Sequence, residues 1–177
     1  YRAISLEIKD QNVELNDKVR IIKICKSLNK FNLNSKKLFS SEIDKISSLI
    51  SSKKYLRNEL KSFQRNFPNK YARGKKFAII EGRDIGTEIF PEAKFKVFIW
   101  ADARIRAKRR YEQIIKKGGK AGLERIYKEI IARDVRDLNR VTAPLKPAVN
   151  SVLLDTSYLD IEQSFNVLRK ILERNKI

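Results

Sequence analysis

Arg133, Arg136, Asp137 and Arg140 carry three guanidinium groups and one carboxylate at spacings of three and four residues. At about 100° per residue, such positions stack over roughly a third of a helix circumference. Like charges held that close repel, and one carboxylate does not neutralise three cations. The pattern asks for a multiply charged anion, and arginine's planar fork of donors suits phosphate.

A second cluster, Glu81-Gly82-Arg83-Asp84-Ile85-Gly86-Thr87, follows a run with strand character at 77–80. Gly82 and Gly86 permit close backbone approach, Arg83 supplies donors, and Asp84 supplies an acceptor pair able to read amino groups. A third cluster, Arg104, Arg106, Arg109 and Arg110, opens a helix after an apolar run, with the last three on one face. Near the pair Gly118-Gly119 these arginines could swing over a polyphosphate and stabilise charge developing in phosphoryl transfer. A solvated basic face and a plain surface turn account for them equally well on local grounds. Arg57 and Arg65 on a basic helix are further candidate contacts.

The elements that must position these groups change in kind along the chain. Helices are predicted over residues 1–9, over 17–28 with Asn16 as cap and Val19, Ile22 and Cys25 at helical spacing, from Ser41 with Asp44 completing a capping arrangement, and over 53–66, stopped by Pro68. Apolar positions Ile43, Ile46 and Ile50, then Leu56, Leu60 and Phe63, mark the buried sides of the last two. After Gly74 come short apolar runs at 77–80, 95–100 and 152–154, with helices predicted over 103–116 and 123–138 between the second and third. A final helix over 161–174 shows Ile161, Phe165, Leu168 and Leu172 as its buried stripe. Strands separated by helices read as an α/β fold, a parallel sheet flanked by helices, and ligands in such sheets sit beyond the strands' carboxyl ends.

Composition narrows the chemistry. The chain has 177 residues, 42% of them hydrophobic, which suits one domain with a real core. Forty Lys and Arg against 21 Asp and Glu leave a formal charge of +19, which implies anionic partners. With no histidine and only Cys25, neither a protein zinc site nor a histidine-dependent triad is available. One unpaired cysteine and no apolar run of about 20 residues point to a reduced cytoplasmic protein with no membrane span. No methionine occurs, so the chain is expected to start inside a longer protein.

Together the motifs resemble the bacterial cytidylate kinases, of the nucleoside-monophosphate kinase group of P-loop proteins. The resemblance runs through Tyr1-Arg2, Ser48, Arg57, Gln64-Arg65, EGRDIGTEIFPEA at 81–93 and RDVRDLNRVTAPLKPA at 133–148. It implies phosphoryl transfer from ATP with Mg²⁺ to CMP or dCMP by a monomer. Arg2 and Arg83 would hold the acceptor phosphate. Ser48, Arg57 and Asp84 would read the cytosine edge with help from Arg140, and Asp137 would accept from the ribose. Arg133, with Arg106 and Arg110, would serve the reacting phosphates. One kinase-like domain over 1–177 would contain a helical acceptor-binding region at 10–74 and a lid at 106–123. The alternatives are a basic nucleic-acid-binding domain or a kinase for another monophosphate such as UMP. Asp84, Asp134 and Asp137, interleaved with the arginines, argue against nucleic acid as the primary partner, because they would repel its backbone.

In the family a first strand leads into a glycine-rich loop that cradles the donor phosphates. No GxxxxGK followed by Ser or Thr occurs in these 177 residues. The resemblance implies that this strand and P-loop are missing from the sequence. The chain assayed alone should therefore give negligible conversion of CMP to CDP with Mg-ATP; robust turnover would refute that.

Overall fold

Several helix starts in this chain are set by short side chains that catch free amide groups. The computed structural model describes residues 1–72, 74 and 78–175. Helices α1 (Arg2–Asp10), α2 (Lys18–Lys26), α3 (Ser41–Ile50) and α4 (Lys54–Tyr71) form the first part. The α2 cap is Asp17, accepting from the Arg20 amide at 2.9 Å. It is not the expected Asn16, whose carbonyl instead accepts from the Lys18 amide in a turn. The α3 cap differs in the other direction, one residue earlier than predicted: Ser40 Oγ accepts from the Ile43 amide at 3.2 Å. Asp44 pairs with Arg2 at 2.7 Å, so its carboxylate serves a tertiary contact.

Two further corrections concern periodicity and proline. α2 buries Ile21, Ile24 and Cys25 and leaves Val19 78% exposed. The helical period fits both stripes, and packing against α1 and α4 selects the one that continues to Leu28 in the next turn. α4 runs through Pro68 to Tyr71, because proline in the last turn forfeits one amide bond while its own carbonyl still accepts from the Ala72 amide at 2.7 Å.

α1 to α4 enclose Ile4, Ile8, Ile21, Ile24, Leu28, Leu38, Ile50, Leu56 and Leu60. Cys25 lies in this core as a free thiol, and burial pushes its pKa up to about 11. These helices belong to one of two compact units, Tyr1–Glu92 with Val135–Lys146. The other unit comprises Ala93–Asp134 with Pro147–Ile177.

The second unit carries the parallel pair β1 (Val97–Trp100) and β2 (Val152–Asp155), in register from Val97 opposite Val152 to Trp100 opposite Asp155. The chain between them runs through α5 (Ala103–Lys116) and α6 (Leu123–Asn139), and α7 (Ile161–Arg174) follows β2. Parallel strands require such a crossover, and the fold is α/β. α5 and α7 match the expected ranges, since their starts are marked by Asp102, which accepts from the Arg104 amide, and by the Asp160–Gln163 capping box. α5 stops at Gly118, with φ 75, where the Gly119 amide returns to the Ile114 carbonyl at 2.9 Å. That left-handed conformation disfavours any side chain.

The expected strand at 77–80 is not formed by Ala78–Ile80, and Phe77 lies outside the described residues. Among the described residues no segment pairs with 78–80, and without a ladder an apolar run is not a strand. The stripe expected on α7 is also not buried, with Ile161 and Phe165 exposed, because its own unit brings too little apolar surface over it.

The orientation of α2 can be tested by truncation. Ile21→Ala should cost about 2–5 kcal/mol in urea unfolding, and Val19→Ala less than about 0.5. Equal losses would contradict the observed face.

Candidate functional site

Asp84 lies in a bend with Arg83 and opens a wide turn, Ile85–Ile89. In this turn the Ile89 amide reaches the Asp84 carbonyl and the Phe90 amide reaches that of Ile85, five residues apart in each case. Gly82 is needed just before it, because a β-carbon there would come within 2.7 Å of Ile85 Cγ1. The turn aims the Asp84 carboxylate at Arg57, the two forming an ion pair in which each residue is only 7% exposed. Arg57 extends from the first turn of α4, and its Nε donates to the Ser51 carbonyl at 2.6 Å, just past the end of α3. Its guanidinium also lies over the Tyr1 ring, 5.7 Å from the centroid.

Asp137 supplies the second buried carboxylate, at 2% exposure. It pairs with Arg83 Nε and, at 3.4 Å, with Arg140 Nη1. Arg140, just past α6, donates from Nε to the Ala143 carbonyl, and the Leu145 amide returns to the Asp137 carbonyl at 2.8 Å. The segment after the helix is thereby folded back on the carboxylate. Burial and then the nearby Arg57 pull the Arg140 pKa down, opposed by Asp137 and Asp84. Burial pushes the Tyr1 phenol up to about 12, against the pull of Arg57 and Arg140. These mutual influences show Tyr1, Arg57, Asp84, Asp137 and Arg140 gathered into one electrostatic cluster.

Ser48, on the last turn of α3, is buried and accepts from Arg136 Nε at 3.2 Å. Arg2 is built into a different set: its donors go to Asp44 and to the Leu38 carbonyl at 2.9 Å, and it lies 5.1 Å over the Phe39 ring. All seven residues expected to bind the acceptor fall in one unit, and six of them, Arg2 excepted, join through Ser51, Tyr1 and Arg136. Sequence reasoning gave no role to Ser51 and gave Arg136 only a place on the anion-binding face, with no partner of its own. The three- and four-residue spacing had put Arg136 on the right face, but nothing local marks Ser51.

Arg106, Arg110 and Arg133 lie in the other unit. Arg106 Nε donates to the Ala101 carbonyl at 2.8 Å, and its two terminal nitrogens hold Asp134 at 3.1 and 2.6 Å. Arg109 donates to the Leu159 carbonyl at 2.7 Å and to that of Thr156. These two arginines tie down the carboxyl ends of β1 and β2 rather than standing free to swing. Arg104 stacks 5.1 Å over the Tyr127 ring. Among the described residues no three acidic or cysteine side chains group closely enough to hold a metal ion, and no helix is long and apolar enough to cross a membrane.

A helically connected parallel pair, with buried carboxylates set among arginines in the helical unit, defines an α/β protein of the nucleoside-monophosphate kinase class. The sequence model of the cytidylate kinase family matches residues 1–176. The cytidylate kinase of Bartonella tribocorum is 40% identical over 167 residues, which cover 94% of this chain and 76% of that protein. Those of Rhodopseudomonas palustris (strain BisB18) and Bartonella henselae are 37% and 36% identical over 98% of this chain, covering 80% and 79% of their own lengths. The chain belongs to the cytidylate kinase family.

The pairing of Arg57 with Asp84 sets the consequence of breaking it. Asp84→Ala leaves a buried guanidinium without its partner and should cost about 3–5 kcal/mol in chemical unfolding. Asp134→Ala, which frees a partly exposed arginine, should cost clearly less. Equal losses would show that burial does not govern these pairs.

Proposed function

We propose that this chain, joined to a donor-phosphate loop such as the family carries, transfers the γ-phosphoryl group of ATP to the phosphate of CMP or dCMP. The observation that carries the reading is the pair of buried carboxylates, Asp84 and Asp137, each held in place by arginine. A nucleoside monophosphate offers what such a site can use: base donors and acceptors, sugar hydroxyls and a dianionic phosphate. Cytosine's exocyclic amino group donates to Asp84, while Ser48 and the Arg57 and Arg140 guanidinium groups donate to its carbonyl and ring nitrogen. Asp137 accepts from the ribose, and Arg83 and Arg2 take the acceptor phosphate. Residues 10–74 form the acceptor-binding region and 106–123 the lid, within one kinase-like domain of a monomeric, cytoplasmic protein.

No covalent intermediate is required. A phosphate oxygen is already a competent nucleophile, and the chemistry left to the protein is in-line positioning, charge neutralisation and exclusion of water. Arg133, Arg106 and Arg110 neutralise charge on the reacting phosphates. Arg106 starts from its contact with Asp134, so phosphate must compete with that carboxylate for its donors. Mg²⁺ accompanies ATP in such reactions, but the described carboxylates do not form a cage for it, and no step assigned to these residues depends on one.

Specificity follows from satisfying buried polar groups. Uracil presents a carbonyl where cytosine presents the amino group, so Asp84 would face an acceptor with an acceptor. An unpaired buried polar group costs about 1–3 kcal/mol, roughly ten- to hundredfold in affinity. The named relatives favour neither a uridylate acceptor nor a nucleic-acid ligand.

Asp137 is the direct test, with asparagine rather than alanine as the replacement, because alanine would leave the buried Arg140 guanidinium without a carboxylate and Arg83 without its partner. Asp137→Asn should weaken CMP binding by about tenfold in calorimetry, losing a charge-assisted bond to the ribose. Unchanged CMP affinity in a folded variant would remove Asp137 from the site.

A further inference from the structure

Arg136 belongs to the arginine face at 133–140, yet the cytidylate kinase resemblance gives it no task. Its Nε donates to Ser48 Oγ across 88 positions of sequence. A guanidinium has donors and no acceptor, so the polarity of this bond is set: Ser48 Oγ accepts. The hydroxyl retains one proton to give, and it meets no acceptor among the described residues. Apart from the bond from Arg136, Ser48 receives only Ser51 Oγ, at its main-chain carbonyl, at 3.0 Å. Ser48 is 5% exposed, so its proton is short of water as well. The same stretch of chain reaches the base-reading pair, because the Ser51 carbonyl holds Arg57 and Arg57 holds Asp84.

We propose that Arg136 is a specificity-determining positioning residue that fixes the Ser48 hydroxyl as a hydrogen-bond donor toward the pyrimidine ring. The inference rests on the acceptor-site reading above. Unprotonated N3 of cytosine accepts such a proton. Uracil carries N3–H, and were it to donate to the same oxygen, the serine proton would be buried without an acceptor. The bond from Arg136 also holds the Ser48 side chain in its present rotamer; without it the side chain is free to rotate, give its proton to the helix carbonyl one turn back, as serines in helices do, and accept from the base. Discrimination then comes from a bond the ligand never touches. Arg136 is an exposed residue, so replacing it leaves the core intact.

The experiment measures CMP and UMP affinities of the full chain by calorimetry for the wild type, Arg136→Ala, Arg136→Lys, Ser48→Ala and the Ser48→Ala/Arg136→Ala double variant. Arg136→Ala should weaken CMP by about tenfold with little change for UMP, so that the preference for CMP shrinks by that factor. Arg136→Lys, which keeps a donor, should restore most of it. In the Ser48→Ala background Arg136→Ala should not alter the preference further. Equal weakening of CMP and UMP by Arg136→Ala would overturn the inference, since a charge acting on phosphate alone does that. So would a Ser48→Ala variant with its preference intact. A wild-type chain that does not bind CMP defeats the acceptor-site reading itself, and this inference with it; a wild-type chain that binds CMP confines any failure to Arg136.

Discussion

The enclosure of Asp137 between Arg83 and Arg140 is the constraint on which the helical unit depends. Removing charged groups from water costs several kcal/mol per ion, and the attraction between them offsets this only when both partners are held in good geometry. The turn carrying Arg83, the end of α6 and the chain that folds back through Leu145 must therefore close together. Arg57 and Asp84 repeat the arrangement, tying α4 and the end of α3 to the wide turn after Asp84. Four separated stretches of sequence are fixed by two carboxylates. Groups held in this way are already oriented, and preorganised charges of this kind lose little to reorganisation when charge develops nearby.

The arginines divide by what they hold. Arg106 and Arg109 look in sequence like a solvated basic face, but their donors go to carbonyls at the ends of β1 and after β2. In a sheet with two strands among the described residues, those ends have few other partners, and a planar fork of donors closes them. Arg57, Arg83 and Arg140 instead hold the carboxylates Asp84 and Asp137. The large positive charge is thus only partly a surface property. A few of these cations, Arg57 and Arg140 above all, are paired inside the fold, while the net excess of +19 has no internal counterion.

How far the fold was legible depended on how local its causes are. α5 and α7 could be placed residue by residue, because Asp102, Asp160 and Gln163 cap them within three residues of chain. The face of α2 and the cap of α3 went astray by a residue or two: the core around Ile21 decided the first, and in the second the adjacent serines Ser40 and Ser41 offer the same cap chemistry, while Asp44 goes to Arg2. The apolar run ending at Ile80 was misread for a deeper reason. Its composition suits a strand, but a strand is defined by the chain beside it.

For the site, the sequence by itself determined the chemistry on offer: carboxylates and guanidinium groups at helical spacing, a glycine-bounded Arg-Asp turn, and no histidine to do their work. That is enough to identify the family, because residue type and spacing are written directly in the chain. Only the tertiary structure decided which charge meets which. Arg57 finds Asp84 27 residues away and Arg136 finds Ser48 88 residues away, and no local rule selects those partners over the many other charged and polar groups. The selection is made by packing, which allows a charge into the interior only where its counterpart is already waiting.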